Sequence, residues 1–343
     1  MPMLVHEELD PVFETMTLLL NDTESTDTRQ KIYDELDKLG IDGQTFYKKH
    51  MKPWEKYNQV FKQHYKSTEQ DDFFLGAEDF EYYVTLCLLF LQNRSLLKDQ
   101  ARDKAEFIRL LFDACNHIWE TDFPIEEPFT DARLVEFLSR FSLSESAKWR
   151  LLLICRNPQP YFSDFARMIN NNLQAFEKAK REIAVPLQKL IARFGSSPEC
   201  FRERYCVKEL GDFTDAYPVM AQPFSQMLAD KTCYCGLLWD AMREEACGQI
   251  NERERLVARL KAMADNSKLD ILLLLKERPY YNLELATHLK LSPATVSHHM
   301  DSLLTGGLVT VERRDKRIYY HLVTEEFCWA RDKLAQLFEL DKS

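Results

Sequence analysis

Between Asp265 and Leu322 helix starts and stops follow one another so closely that few folds can satisfy them all. Arg253 to Ala264 is amphipathic, with Leu256, Val257, Leu260, Met263 and Ala264 on one face. Asp265-Asn266-Ser267 ends that helix, and Ser267 is placed to cap the next, Lys268 to Arg278. Pro279 closes it, Asn282 to Leu289 forms a short third helix, and Lys290-Leu291 turns the chain. Ser292 then caps a fourth helix over 292–305. Pro293 sits at its first position, where a missing N–H costs nothing, and Gly306-Gly307 supplies a left-handed stop. Val296, Met300, Leu303 and Leu304 form the stripe expected to be buried. Ser292, Ala294, Thr295, Ser297 and His298 are left at the exposed leading end.

Two alternating strands follow over 308–322, with the basic residues Arg313, Arg314, Lys316 and Arg317 about their tip. A helix with small hydrogen-bonding residues at its positive end, followed at once by a basic hairpin, suits DNA. The helix enters the major groove and the hairpin rests on the phosphates. The net charge of −10 argues against nucleic acid only until the chain is divided. Residues 251–343 hold 15 Lys and Arg against 14 Asp and Glu, so the acidity lies in the first 250 residues.

The run Leu260 to Leu272, Leu285-Ala286, and Leu291-Ser292-Pro293-Ala294-Thr295-Val296-Ser297-His298-His299-Met300 resemble the ArsR/SmtB family of winged helix-turn-helix regulators. Leu303 through Gly306-Gly307-Leu308-Val309 and the strand Arg317 to Tyr320 extend the likeness over about 85 residues, a quarter of the chain. The resemblance implies a homodimer whose first and last helices pack together, setting two recognition helices in successive major grooves. Thr324 to Leu340 supplies such a last helix, and the interface expected is Leu256, Leu260, Phe327, Leu334 and Leu337. It further implies a cytoplasmic transcriptional regulator, of repressor type, whose partner is a double-stranded DNA operator. The sequence departs from the metal-sensing members. Tyr281, Asn282 and Leu283 stand where a Cys-x-Cys pair would lie, and residues 324–343 contain no histidine. No metal site or cofactor of the family type is therefore expected.

The class expected overall is mainly α: a multi-helical N-terminal domain over 1–250 with a small β-hairpin, joined to the winged helix over 251–343. Hydrophobic residues at 45% and charged residues at 29% are the composition of a folded chain. Helical periodicity recurs from Glu8 to Phe194, with Pro186 expected to kink or divide the last long helix. Tyr217 to Phe224 and Lys231 to Leu237 are expected to form the hairpin (about 217–237) around a turn at Leu228 to Asp230. Pro218 and Pro223 would confine the first strand to a sheet edge. No apolar run approaches the roughly 18 residues of a membrane span, and no basic leader is visible, so no membrane partner is expected.

The first 250 residues contain no nucleotide loop, HExxH or nucleophile elbow, and no catalytic residue is assigned; an enzyme is not expected. The aromatics Phe73, Phe74, Tyr82, Tyr83, Phe107, Phe112 and Trp119 suit either a helical core or a pocket for a small-molecule or peptide effector on this domain. Glu126-Glu127 and Glu244-Glu245 are expected to be solvated. Two alternatives to a DNA-binding regulator stand beside it: a protein-interaction adaptor whose winged helix does not bind DNA, and a metal or redox sensor using Cys233, Cys235 and Cys247.

Overall fold

Side-chain caps set where the helices of the first segment begin. Asp10 accepts from the N–H groups of Val12 and Phe13 at the head of α1 (Pro11–Leu20). Asp103, Thr130 and Ser144 do the same for α7 (Lys104–Ile118), α8 (Asp131–Ser139) and α9 (Glu145–Arg156). Between these lie α2 (Thr26–Lys38), α3 (Gly43–His50), α4 (Lys52–His64), α5 (Asp71–Leu75) and α6 (Phe80–Gln92). The computed structural model describes residues 3–21, 26–39, 41–76, 80–98, 103–119, 121, 123–124, 126–194, 207–209, 213–229, 231–248, 252–314 and 317–339. None of its helices is long and apolar enough to cross a membrane.

The long pattern after Tyr161 is two helices, α10 (Pro158–Glu182) and α11 (Ala184–Phe194), separated at Ile183. Pro186 therefore lies in the first turn of α11, where a proline disturbs no hydrogen bond. The aromatics noted above are core, except Phe73, which is half-buried at its edge. Tyr82, Tyr83, Phe74, Phe107 and Phe112 are almost fully buried, and Phe112 stacks on Phe137 at 3.9 Å between ring centroids. One apolar cluster joins α1, α6, α7, α8, α9 and the first half of α10. A second runs from α3 and α4 through the end of α10 and on into residues 271–320.

The expected hairpin is only half right. The antiparallel pair is β4 (Gln226–Ala229) with β5 (Thr232–Gly236), while β3 (Asp215–Val219) lies on the other side of β5 and runs parallel to it. β1 (Leu4–Val5) completes the sheet beyond β3, so the order is β1-β3-β5-β4 and the proline strand is internal. The proline is tolerated because β1 pairs only with Asp215 and Ala216. Ala216 turns its carbonyl toward β1, accepting from His6, and two residues on Pro218 faces the same way past the end of β1.

Buried polar groups tie this sheet to the helices. Glu14 of α1, fully buried, accepts from the Met220 N–H at 2.7 Å, the Ala221 N–H at 3.0 Å and the Tyr57 hydroxyl at 2.8 Å. Burial raises its pKa to about 7 against these three donors, with Asp10 adding to the rise. Asp10 accepts from Tyr234 at 2.8 Å and pairs with Arg94. Glu245, expected in solvent, is instead half-buried in α12 (Trp239–Gly248) between Lys49 at 2.5 Å and His50 at 3.0 Å.

The last segment holds α13 (Glu252–Ala264), α14 (Asn266–Glu277), α15 (Asn282–Leu289), α16 (Pro293–Thr305) and α17 (Thr324–Phe338). Asp265, not Ser267, caps α14, accepting from the Lys268 N–H at 2.9 Å, so that helix starts two residues earlier than expected. The wing strands β7 (Val309–Arg314) and β8 (Arg317–Leu322) pair from Val309↔Leu322 to Arg314↔Arg317. Two strands absent from the sequence reading extend this sheet: β6 (Tyr280–Tyr281), antiparallel to β8, and β2 (Val207–Glu209), parallel to β7. Through β2 the first segment shares a sheet with the wing.

Candidate nucleic-acid interface

The turn between α15 and α16 is set by Lys290, whose φ of 55° lies in the left-handed region. Leu291 then donates its N–H back to the Ala286 carbonyl at 3.0 Å, and Ser292 leaves the helix in extended conformation to cap α16. Its Oγ accepts from the Thr295 N–H at 3.1 Å and lies 2.8 Å from the Thr295 hydroxyl. Val296, Met300 and Leu303 are fully buried and anchor α16 on the core, as their spacing predicts. Leu304, expected with them, is half-buried and turns elsewhere.

Of the expected DNA-facing residues, Ser292, Thr295 and His298 are exposed along the leading end of α16. Ser297 is half-buried, as is His299, whose imidazole pKa is lowered by burial. A helix start with exposed hydroxyl and imidazole groups presents donors and acceptors to base edges and its dipole to phosphate. Arg317 is half-buried at the base of the wing, its guanidinium 4.6 Å from the centre of the Tyr281 ring, and Tyr281 meets Tyr319 edge-on at 5.5 Å. The side chains of Ala294, Arg313 and Arg314, and all of Lys316, lie outside the described residues.

The first and last helices of this segment, α13 and α17, pack together, joined by the buried Arg259 and the half-buried Glu326 at 3.1 Å. Among the residues expected at a dimer interface, Leu256 is buried within the single chain. Phe327 and Leu334 are half-buried, and Leu260 and Leu337 are exposed at 36% and 55%. Val257, Leu269, Leu273 and Phe338 are also exposed on these helices and on α14.

The second face of α16 was missed by the sequence reading. Ser297, Asp301 and Leu304, at i, i+4 and i+7, line a cavity of about 680 Å³ whose far side is formed by α2 and α6. The Asp301 side chain is exposed into the cavity, with protein atoms crowded around that opening. The lost hydration raises its pKa to about 6, with Glu35 of α2 adding and His298 opposing. The signal available was Asp301 itself, the sole acidic residue between 292 and 305 and a misfit beside phosphate.

Cys233 and Cys235 face the same way on β5, fully buried, with their Sγ atoms 3.3 Å apart. Burial pushes the Cys235 thiol well above its usual range, away from the thiolate a metal requires. The Cys247 side chain lies outside the described residues, and no group of three His, Cys, Asp or Glu among those described is arranged to share a metal ion.

Residues 265–311 match the family described as bacterial regulatory protein, arsR family. Over 63 residues, 18% of the chain, the sequence is 38% identical to the arsenical resistance operon repressor of Staphylococcus aureus. The match covers 61% of that repressor, so the chain spans about three fifths of the relative's length. No solved structure matches the chain. The C-terminal segment carries an ArsR-type helix-turn-helix, and the N-terminal segment is unassigned.

Proposed function

We propose that this chain is a non-enzymatic, cytoplasmic transcriptional regulator that binds a DNA operator in a sequence-specific way, as a homodimer and as a repressor. The observation that carries the reading is the exposed, capped start of α16, with the side chains of Thr295 and His298 at the surface, inside the segment that matches the arsR family. In this reading Thr295 and His298 contact base edges or adjoining phosphates, Ser297 faces the cavity instead, Ser292 fixes the start of the helix, and Arg317 with its neighbours Arg313, Arg314 and Lys316 holds the backbone. The repressor role follows the name of the staphylococcal relative.

Dimerisation is supported by the apolar side chains exposed on α13, α14 and α17. Leu260, Leu273, Leu337 and Phe338 together are more than a single chain needs to leave in water. The nearly balanced charge of residues 251–343 makes the expected affinity modest, since few counterions are released, and the phosphate contacts of the wing make what binding there is fall with salt. Fluorescence anisotropy of labelled duplex DNA, titrated with the whole chain at two salt concentrations, tests the reading. Saturable binding that weakens with salt supports it; absence of binding at low salt overturns it.

A further inference from the structure

We propose that the cavity between the recognition helix α16 and helices α2 and α6 binds a bulky organic cation, held by Glu35 and Asp301 against an aromatic wall, and that filling it lowers the affinity for DNA. The site itself stands on the geometry of the cavity; only its effect on DNA rests on the function proposed above.

At about 680 Å³ the cavity lies within the roughly 300–1,000 Å³ of sites that enclose a drug-sized molecule. Leu36, Leu88 and Leu304 make three of its sides apolar, which disfavours a small hydrated ion. Phe224, Trp239 and Tyr320 bring rings to the same space, and aromatic faces attract organic cations. Among the described residues, the charged side chains around it are two carboxylates, Glu35 and Asp301, and one ammonium, Lys31, with His117 as a further titratable group. The excess is negative, and the two carboxylates feel each other, since Glu35 helps raise the proton affinity of Asp301. A cation placed between them relieves that repulsion, whereas an anion adds to it.

The link to DNA is geometric. Glu35 belongs to α2 and Asp301 to α16, one turn beyond Ser297 and three residues beyond His298. An occupant that contacts both carboxylates ties the recognition helix to the N-terminal helices and restrains the repositioning a groove demands. By linkage, DNA and cation then oppose each other to the same degree.

The probe is tetraphenylphosphonium, with tetraphenylborate as an anion of the same shape, each titrated calorimetrically into the whole chain without DNA. The expected result is one phosphonium bound per chain, at least tenfold tighter than the borate. In Glu35→Gln/Asp301→Asn that preference is lost, and in Val84→Trp, which fills the cavity from α6, binding of the phosphonium is lost. Far-ultraviolet circular dichroism confirms that each variant is folded. Failure of the phosphonium to bind, equal binding of the two ions, or unchanged binding in either folded variant overturns the site. With DNA present, saturating phosphonium should weaken duplex binding at least tenfold, and an unchanged affinity overturns the coupling. A chain that takes up the phosphonium as described yet binds no duplex overturns the DNA-binding reading, and the coupling with it, while the calorimetry still upholds the site.

Discussion

Arg259 donates from Nε to Oε2 of Glu326 across 3.1 Å, and its guanidinium lies against the Gly306-Gly307 turn that ends the recognition helix. This one pair therefore ties the first and last helices of the C-terminal segment to the end of the helix proposed to enter DNA. The Arg259 side chain is buried to 7% exposure, whereas Glu326 keeps 21%. Removing the carboxylate strands a buried charge; removing the arginine strands a carboxylate that water can reach. Glu326→Ala is expected to cost about 3–5 kcal/mol in urea denaturation and Arg259→Met clearly less. The reverse order would contradict the assignment.

Glu14 makes stability depend on pH. Its folded pKa of about 7 lies above the 4.5 of an ordinary glutamate, mainly through burial, so the native state holds the proton more tightly than the unfolded chain. Its favourable contribution is full below about 4.5 and is lost as pH rises through about 7, a change on the order of 3 kcal/mol. Glu14→Gln should flatten that part of the pH profile. It should also lower stability throughout, because an amide N–H₂ would oppose an N–H of Met220 or Ala221. Denaturation midpoints at pH 5 and pH 8 for both proteins measure this.

Gly307 adopts φ of 69°, and a Cβ there would meet Arg259 Nη2 at 3.5 Å, an ordinary contact. The cost of Gly307→Ala is thus conformational, about 1–2 kcal/mol. Gly306→Ala, at φ of −66°, should cost less in the same thermal-unfolding comparison.

Arg317 and His298 should differ in kind. Replacing Arg317 together with Arg314 by Ala is expected to weaken binding to every duplex alike and to reduce the slope of log affinity against log salt by about one to two. His298→Ala should change the ranking of sequences and leave that slope nearly unaltered. Parallel titrations on a panel of duplexes separate the two.

What was legible in the sequence was local. Ser292, Pro293 and Gly307 act within one helical turn, so the bounds of α16 follow from neighbours a few residues away. Even there, Asp265 and Ser267 are both able caps, and the choice between them falls on packing that the sequence does not display. Long-range relationships were hidden. Nothing near Glu14 announces Met220, 206 residues on, and nothing near Leu4 announces a strand beyond Asp215. The proline rule placed Pro218 at an edge because it could not foresee a neighbouring strand only two residues long. Likewise the face of α16 that carries Asp301 acquires its meaning from Glu35, in a helix near the other end of the chain.

The central claim is sequence-specific binding by a dimer, and selection of random duplexes by the purified whole chain, at low and at moderate salt, tests it most directly. The account predicts enrichment of an inverted repeat with half-sites about one helical turn apart, lost when Leu260 and Leu337 are both changed to Glu. Duplexes recovered without any shared sequence at either salt concentration would contradict it.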